Sequence, residues 1–204
     1  HKSFSVNYNV INISRTISKS EYNIITDFKD LSDLKQKLET QNIKHDICIL
    51  NAGTMGSIRS AFHVTYEDFL KTININVVAN KIIMDWSILN GCNNFIGISS
   101  GAAKKNYDGW LNYCVTKSAF RSMLLQYQKD LPKLNIKLIS PGILSTNMNK
   151  KIKAQDVSLY PDMKKFHQSS AVDPKRASEL IYKKYSNYFH SDELEIDLRN
   201  EAEW

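Results

Sequence analysis

The segment 46–53, DICILNAG, decides the prediction of the fold. Its apolar half, Asp46–Leu50, is short and rich in isoleucine, as strands of a buried parallel sheet are. The small and polar residues Asn51-Ala52-Gly53 follow it directly. Comparable apolar runs lie on both sides of this segment, at Tyr8–Ile13, Phe95–Ile98, Ile136–Ile139 and Leu194–Leu198. We expect each of these runs to form a strand.

Longer segments with helical spacing separate the predicted strands. Leucines recur at three and four residues from Leu31 to Leu38, and broad apolar stripes run through Tyr66–Leu89 and from about Gly109 to Asp130. A last helix is predicted over Pro174–Tyr185, because Asp173 can cap it and proline suits its first position. This alternation predicts one α/β domain over residues 1–204, with a doubly wound, Rossmann-like parallel sheet. Residues 149–171 are polar with weak periodicity, and we expect a lid on the substrate side or an insertion.

Composition excludes several classes of protein. The chain has 204 residues, of which 42% are hydrophobic and 24% charged, as in ordinary globular proteins. Its three widely spaced cysteines exclude a disulfide framework and a cysteine-rich zinc site, and they fit a reducing compartment, so we expect a cytoplasmic protein. No apolar run approaches the ~20 residues of a membrane helix. The five histidines show no metal-ligand spacing, and no metal site is predicted.

The charge pattern gives a weaker signal. The net charge is +6, but the lysines are interleaved with acidic residues, which is typical of a solvated surface. No basic or aromatic cluster suggests a nucleic-acid partner. A single anionic ligand, such as a nucleotide phosphate, would need only one or two of these charges.

Small or polar residues follow the first four predicted strands. They are Ser14-Arg15-Thr16, Asn51-Ala52-Gly53, Ser99-Ser100-Gly101 and Ser140-Pro141-Gly142. Ligands of doubly wound sheets bind outside the carboxyl ends of the strands. The sequence therefore predicts one shared crevice in which a cofactor approaches the backbone closely.

A tyrosine and a lysine one helical turn apart are candidate catalytic residues. Tyr113 and Lys117 lie in a segment free of proline and glycine, so they share a helix face. An ammonium beside a phenol favours the phenolate, and we expect the pKa of Tyr113 to fall below its usual value of about 10. Tyr160 and Lys164 have the same spacing, but Pro161 pushes Tyr160 out of the helical region, so that pair need not share a face.

Together these motifs resemble the short-chain dehydrogenase/reductase family, in order and in spacing. The resemblance runs from about Tyr8 to Asn200 and rests on Asn51-Ala52-Gly53, Asn76, Ser100 thirteen residues before Tyr113, Lys117, and Pro141-Gly142 with Thr146. A finer resemblance is to the sepiapterin reductases and benzil-type diketone reductases. It rests on 109–114 (GWLNYC), Pro161-Asp162-Met163, Val172-Asp173 and Glu195-Ile196-Asp197.

The resemblance implies four catalytic roles. Tyr113 would donate a proton to a carbonyl oxygen, and Ser100 would hydrogen-bond that oxygen. Lys117 would hold the nicotinamide ribose and depress the pKa of Tyr113. Asn76 would place a water molecule in the proton relay.

The resemblance also implies a nicotinamide cofactor. The adenosine side would pass Asn51, Ala52 and Gly53, with Asp27 at the adenine, and Tyr113 and Lys117 would lie at the ribose. The carboxamide and diphosphate would be held by Pro141, Gly142, Leu144 and Thr146. Arg15 stands where the family selects its cofactor, and a guanidinium there can pair with a 2′-phosphate, so we expect NADP(H). Arg15 as an ordinary surface charge is the alternative.

Substrate contacts are expected from Ser100 and Tyr113, from Trp110 and Met148, and from Asp197 as an anchor of the sepiapterin reductase kind. Trp110 and Met148 could equally pack in the core, and Asp197 could be structural. The function expected is NADPH-dependent reduction of a small dicarbonyl or pterin-like ketone, by a dimer or tetramer formed through the long helices. The alternative is a catalytically silent nucleotide-binding sensor or assembly protein with the same fold.

One element of the family is missing. The seven glycines begin at Gly53, so a glycine-rich turn, the strand before it and the helix after it are expected to be absent from this chain, about 30–40 residues if sized as one βα unit. Either the chain is truncated or those residues were not observed, and as given it should bind a cofactor poorly.

Overall fold

The structure is a computed structural model that describes residues 9–20 and 22–201, without the side chains of residues 185 and 186. Its strands are β1 (Ile11–Ser14), β2 (Tyr22–Ile25), β3 (Ile47–Leu50), β4 (Asn94–Ile98), β5 (Asn135–Ser140) and β6 (Glu195–Asp197). Its helices are α1 (Leu31–Glu39), α2 (Tyr66–Ile73), α3 (Ala79–Leu89), α4 (Leu111–Asp130), α5 (Asn147–Lys153), α6 (Lys164–Gln168) and α7 (Pro174–His190).

The strands form parallel sheets, as predicted. β3, β4, β5 and β6 pair in that order, and β1 pairs with β2 in a separate two-stranded sheet. The sequence analysis missed β2, since this four-residue strand has a single buried residue, Ile24, and no long apolar run. The first predicted strand begins at Tyr8, which lies outside the described residues, and the observed strand extends to Ser14.

Helices cover both faces of the four-stranded sheet, because side chains alternate along each strand. Phe95 of β4 packs in a core with Leu124 of α4 and residues of α1 and α3. Ile96, the next residue, packs on the opposite face with Leu180 and Ile181 of α7. The core is therefore layered as helix, sheet and helix, which confirms the doubly wound α/β prediction.

The segment predicted as one helix over Tyr66–Leu89 is helical throughout but changes its winding. A π-helical turn, Asn74–Val78, lies between α2 and α3. Such turns insert an extra residue per turn and occur often at functional sites. Apolar spacing could not predict it, because the stripe continues across the turn.

Two other helix boundaries differ from the prediction. α4 begins at Leu111, because Gly109 has φ +74, a left-handed conformation that a helix cannot contain. α7 starts as predicted, with the Asp173 side chain capping it and Pro174 at its first position, and continues to His190. Within residues 9–20 and 22–201, no helix is long and apolar enough to cross a membrane.

Residues 149–171 are more ordered than their polar sequence indicated. They contain most of α5, a 3₁₀ turn and all of α6. Three buried apolar side chains, Ile152, Met163 and Phe166, attach the segment to a cluster around Trp110 and Tyr113. Helices this short bury too few residues to produce a visible periodicity.

The close packing of β4 against α4 allows a test of the core. Gly97→Ala should lower the free energy of unfolding by about 1–3 kcal/mol, because its methyl group would overlap the fully buried Leu124 and lie 3.2 Å from the Phe120 ring. Chemical denaturation would measure the loss. The control is Gly101→Ala, where the added carbon meets Tyr107 Oη at an ordinary 3.4 Å. Equal stability of the two variants would contradict this account of the packing.

Candidate active site

The carboxyl ends of the paired strands bring the predicted motifs to one edge of the sheet. The ladders align Leu50 with Gly97, Ile98 with Ile139 and Ser140 with Asp197. The segments that follow β3, β4 and β5 therefore leave the sheet side by side, as predicted for a shared crevice.

Tyr113 lies in the first turn of α4, beside the segment that follows β4. Its side chain is only 8% exposed and packs in the cluster with Trp110. Ser100 lies close enough to the phenol to affect its pKa, and its hydroxyl accepts from the backbone N–H of Ala102 at 3.2 Å. The structure thus brings together the two residues that the sequence analysis assigned to a carbonyl oxygen.

Lys117 lies one turn further along α4, with its ammonium group buried. Its Nζ donates to the backbone oxygen of Ile98 at 2.8 Å, at the carboxyl end of β4. It also lies 5.8 Å from the centre of the Tyr113 ring. Burial lowers the pKa of Lys117 from its ordinary 10.5 to about 8.

The pKa of Tyr113 was expected to fall, and it rises instead. Burial raises the pKa of Tyr113 to about 12, and the Ser100 side chain lowers it only in part. The phenol is almost completely removed from water, which disfavours the phenolate more than a neighbouring ammonium that donates to Ile98 can favour it. Tyr113 therefore keeps its proton at neutral pH.

Asn76 lies in the π-helical turn, and its side chain is fully engaged within the protein. Its Oδ1 accepts from the backbone N–H of Thr54 at 2.7 Å. Its Nδ2 donates to the Thr54 carbonyl and to Thr116 Oγ1, both at 2.8 Å. Both amide hydrogens are already donated to protein oxygens. The water molecule expected in the proton relay would therefore have to bind to an oxygen of Asn76. The contacts shown make Asn76 a bridge between the segment after β3 and α4.

Asp68 of α2 makes a second bridge that the sequence analysis missed. Its carboxylate accepts from the Ser57 backbone N–H at 3.0 Å, the Ser57 hydroxyl at 2.6 Å and Asn112 Nδ2 at 2.6 Å. Asn112 precedes Tyr113 in α4, so this carboxylate helps to position the helix start. In the sequence, Asp68 is only an acidic residue in the first turn of a helix, and nothing links it to position 112.

The residues predicted for the adenosine half of a cofactor lie at the expected strand ends. Arg15 directly follows β1 and is exposed. Asp27 follows β2 and, with Asn74, lines an open cavity of about 490 Å³. After β3, an added Cβ at Gly53 would lie 3.8 Å from both Asn76 Oδ1 and Lys117 Nζ. Any side chain at position 53 would therefore leave less room for a ligand beside these two groups.

The segment after β5 turns sharply and then starts α5. Gly142 has φ +71, which favours glycine over any residue with a side chain. Leu144 forms a bridge with Val172, which fixes the segment against the residues before α7. Thr146 caps α5 by accepting from Asn149 N–H at 3.4 Å. These contacts hold the predicted residues Pro141, Gly142, Leu144 and Thr146 in one ordered turn.

Aromatic side chains form the wall next to Tyr113. The Trp110 ring centre is 4.9 Å from those of Tyr107 and Phe166 and 5.7 Å from that of Tyr113. Met148 packs against the same cluster from α5. The structure thus places Trp110 beside Tyr113 and Met148 against the cluster that contains both.

Asp197 is held by its own neighbours. Its carboxylate caps a 3₁₀ turn by accepting from Arg199 N–H at 3.1 Å and pairs with the Arg199 guanidinium. That pairing lowers the pKa of Asp197. Asp197 lies at the end of β6, and its partner Arg199 interacts electrostatically with Tyr107, which packs against the cluster around Tyr113. The role of Asp197 as a substrate anchor stays a prediction.

Comparison with other sequences agrees with this geometry. The profile of the short chain dehydrogenases matches residues 10–157. Benzil reductase ((S)-benzoin forming) of Bacillus cereus is 25% identical over 187 residues, covering 85% of this chain and 72% of that protein. Sepiapterin reductase of Rattus norvegicus is 27% identical over 145 residues, covering 66% of this chain and 53% of that protein.

Solved structures share the fold. A short-chain dehydrogenase/reductase from Saccharomyces cerevisiae gives a TM-score of 0.79 at 18% identity, covering 99% of this chain and 90% of that one. The closed form of serine dehydrogenase complexed with NADP⁺ gives a TM-score of 0.77 at 19% identity, covering 96% and 86%. At such identities these structures establish a Rossmann-like fold and nothing finer.

The buried ammonium makes stability depend on pH. Folded Lys117 releases its proton near pH 8, whereas an unfolded lysine does so near 10.5. Between pH 8 and 10 the unfolded state binds more protons, so wild type should gain about 1.4 kcal/mol of unfolding free energy per pH unit relative to Lys117→Met. Denaturant unfolding at pH 7, 8.5 and 9.5 would measure this difference. The exposed Lys133→Met is the control, and parallel pH profiles for wild type and Lys117→Met would refute the assignment.

Proposed function

The chain belongs to the short-chain dehydrogenase family, and we propose that it is an NADP(H)-dependent carbonyl reductase for a small dicarbonyl or pterin-like ketone. The observation that carries the proposal is the grouping of the buried Tyr113 and Lys117 with the half-buried Ser100 at the carboxyl edge of the sheet. A phenol that keeps its proton, beside a hydroxyl in a dry cluster, is suited to protonating an oxygen that gains negative charge.

The residues of the chain would divide the work of a carbonyl reduction. Tyr113 donates its proton to the carbonyl oxygen, and Ser100 stabilises the charge that develops there by a hydrogen bond. The aromatic wall excludes water from the reacting carbon. A bound NADPH would supply the hydride for this carbon. Lys117 would hold the ribose next to Tyr113, and its positive charge would ease the loss of the phenolic proton.

The crevice has residues that fit such a cofactor. The bare Gly53 leaves room beside Asn76 and Lys117, and Gly142 allows the backbone to turn close to a ligand. Asn51, Ala52 and Gly53 would pass the adenosine side, with Asp27 at the adenine, and Pro141, Gly142, Leu144 and Thr146 would hold the carboxamide and diphosphate. The exposed Arg15, directly after β1, would pair with a 2′-phosphate.

The substrate class is proposed from the wall beside Tyr113. Three aromatic rings there, Tyr107, Trp110 and Phe166, suit a flat, largely apolar ketone. The names of the relatives in Bacillus cereus and Rattus norvegicus, a benzil reductase and a sepiapterin reductase, point to substrates of this shape.

The central test is Tyr113→Phe, assayed by NADPH consumption with a panel of diketones and sepiapterin. The assay uses the protein with its full native N-terminus. Loss of the proton donor should reduce kcat by about 10²–10⁴ while NADPH binding persists. The matched control is Tyr127→Phe, because this second tyrosine of α4 directs its hydroxyl to Asp85 and lies fourteen residues from Tyr113.

The other outcomes separate the proposal from its alternative. NADPH binding by wild type without turnover of any carbonyl would favour the nucleotide-binding sensor or assembly protein. Turnover that survives in Tyr113→Phe would remove Tyr113 from the mechanism. Absence of NADPH and NADH binding would overturn the cofactor assignment.

The choice of cofactor is tested at Arg15. Arg15→Ala should raise KM for NADPH by about 10- to 100-fold, since a charge-assisted pair with the 2′-phosphate is lost, and it should leave KM for NADH nearly unchanged. Steady-state kinetics with both cofactors would measure the change. Equal changes in KM for NADPH and NADH, or no change in either, would mean that Arg15 is an ordinary surface charge.

A further inference from the structure

The indole N–H of Trp110 is a buried hydrogen-bond donor without an acceptor. The side chain is 97% buried, since its exposure is 3%, and its Nε1 has no hydrogen-bond partner within the part of the chain that the structure describes. Trp86 provides a comparison, because it is also buried and its Nε1 donates to the Gln41 carbonyl at 3.1 Å. An unpaired buried donor costs free energy and requires an explanation at each site where it occurs.

The position of the Trp110 ring is fixed, so the donor cannot turn to find an acceptor. The Arg59 N–H donates to the Gly109 carbonyl at 3.1 Å, and the left-handed Gly109 packs against Tyr160 directly before Trp110. Rings of Tyr107 and Phe166 lie 4.9 Å from the indole. The fold therefore holds an unsatisfied polar group in place at an internal cost, as proteins do at functional sites.

The surroundings of the indole contain no suitable acceptor. Its cluster is otherwise built from apolar side chains, among them Met55, Ala102, Ile152 and Met163. Two phenols lie near the indole: the ring centre of Tyr107 is 4.9 Å away, and that of Tyr113 is 5.7 Å away and nearly perpendicular. Neither phenol oxygen accepts a hydrogen bond from the indole.

We propose that the Trp110 indole N–H binds a second oxygen of the substrate, next to the carbonyl that Tyr113 and Ser100 receive, and so selects 1,2-dicarbonyl compounds over simple ketones. This inference rests on the proposed reductase function and specifies its substrate. The ring centres of Trp110 and Tyr113 lie 5.7 Å apart, so two oxygens on adjacent carbons of one substrate would each face one of these rings. A ketone without the second oxygen leaves the indole unpaired, and a site built to bind a polar group discriminates against analogues that lack it.

Access to the indole requires movement of the segment that covers it. Met163 and Phe166 pack over Trp110, and both belong to residues 149–171, the segment predicted as a lid. A substrate oxygen that replaces these contacts exchanges apolar packing for the missing hydrogen bond. This exchange is favourable only for a substrate whose second oxygen can accept the hydrogen bond from the indole.

The test compares two ketones and two variants. Benzil has two adjacent carbonyls, and deoxybenzoin has the same two phenyl rings with one carbonyl. Trp110→Phe should lower kcat/KM for benzil by about three- to tenfold more than kcat/KM for deoxybenzoin, the effect of losing one neutral hydrogen bond. The matched control is Trp86→Phe, which removes an indole bonded inside the protein and should leave the ratio of the two substrates at its wild-type value.

Two results would contradict the proposed indole contact. An equal loss for both ketones in Trp110→Phe would mean that the indole only packs, and no loss for either would overturn the proposal as well. In both cases the reductase function would stand, because wild type would be active. If Trp110→Phe does not fold, benzothienylalanine at this position keeps the fused rings without the N–H and gives the same comparison.

Failure of the proposed function would look different, since wild type would then reduce neither ketone. Titration calorimetry would in that case compare the affinities of wild type and Trp110→Phe for benzil and deoxybenzoin. A selective loss of benzil affinity in the variant would support the indole contact, and equal or absent binding of the two ketones would overturn it.

Discussion

The candidate site depends on the hydrogen bonds that the side-chain amide of Asn76 makes. This amide joins both backbone groups of Thr54, after β3, to the hydroxyl of Thr116 in α4. The π-helical turn that carries Asn76 is thereby tied to two other elements in a buried position. Because the amide has no charge and its donors are all used, the junction is maintained without the penalty of an unpaired buried group. Tyr113 and Lys117 lie on the helix that it holds.

Burial acts on the two principal site residues in opposite directions. It lowers the pKa of Lys117 and raises the pKa of Tyr113, because in each case the neutral form is the one that tolerates a dry environment. The Ile98 carbonyl at the end of β4 accepts a hydrogen bond from the Lys117 ammonium and so offsets part of the cost of burying its charge. The sheet thus contributes an acceptor as well as a position, and the phenol retains the proton that the proposed reaction needs.

The substrate side is organised by a small number of contacts. Residues 149–171 attach to the rest of the protein through apolar side chains, and Asp108 and Asp162 each accept the other's backbone N–H, at 3.2 and 3.0 Å. The same attachment covers the indole N–H of Trp110. The contacts that keep the segment ordered therefore compete with access to the donor, and this competition is where selection between substrates would take place.

The sequence by itself determined the parallel α/β architecture and the strand ends that carry the candidate residues, because periodicity and short-range spacing are local properties. It also determined that Tyr113 and Lys117 share a helix face and that Asp173 starts α7. Only the tertiary structure decided the direction of the Tyr113 pKa shift and the bridging contacts of Asp68 and Asn76. Each of these depends on burial or on contacts between residues far apart in the chain, such as 68 with 112 and 76 with 116, and no local pattern of residue types records such distances.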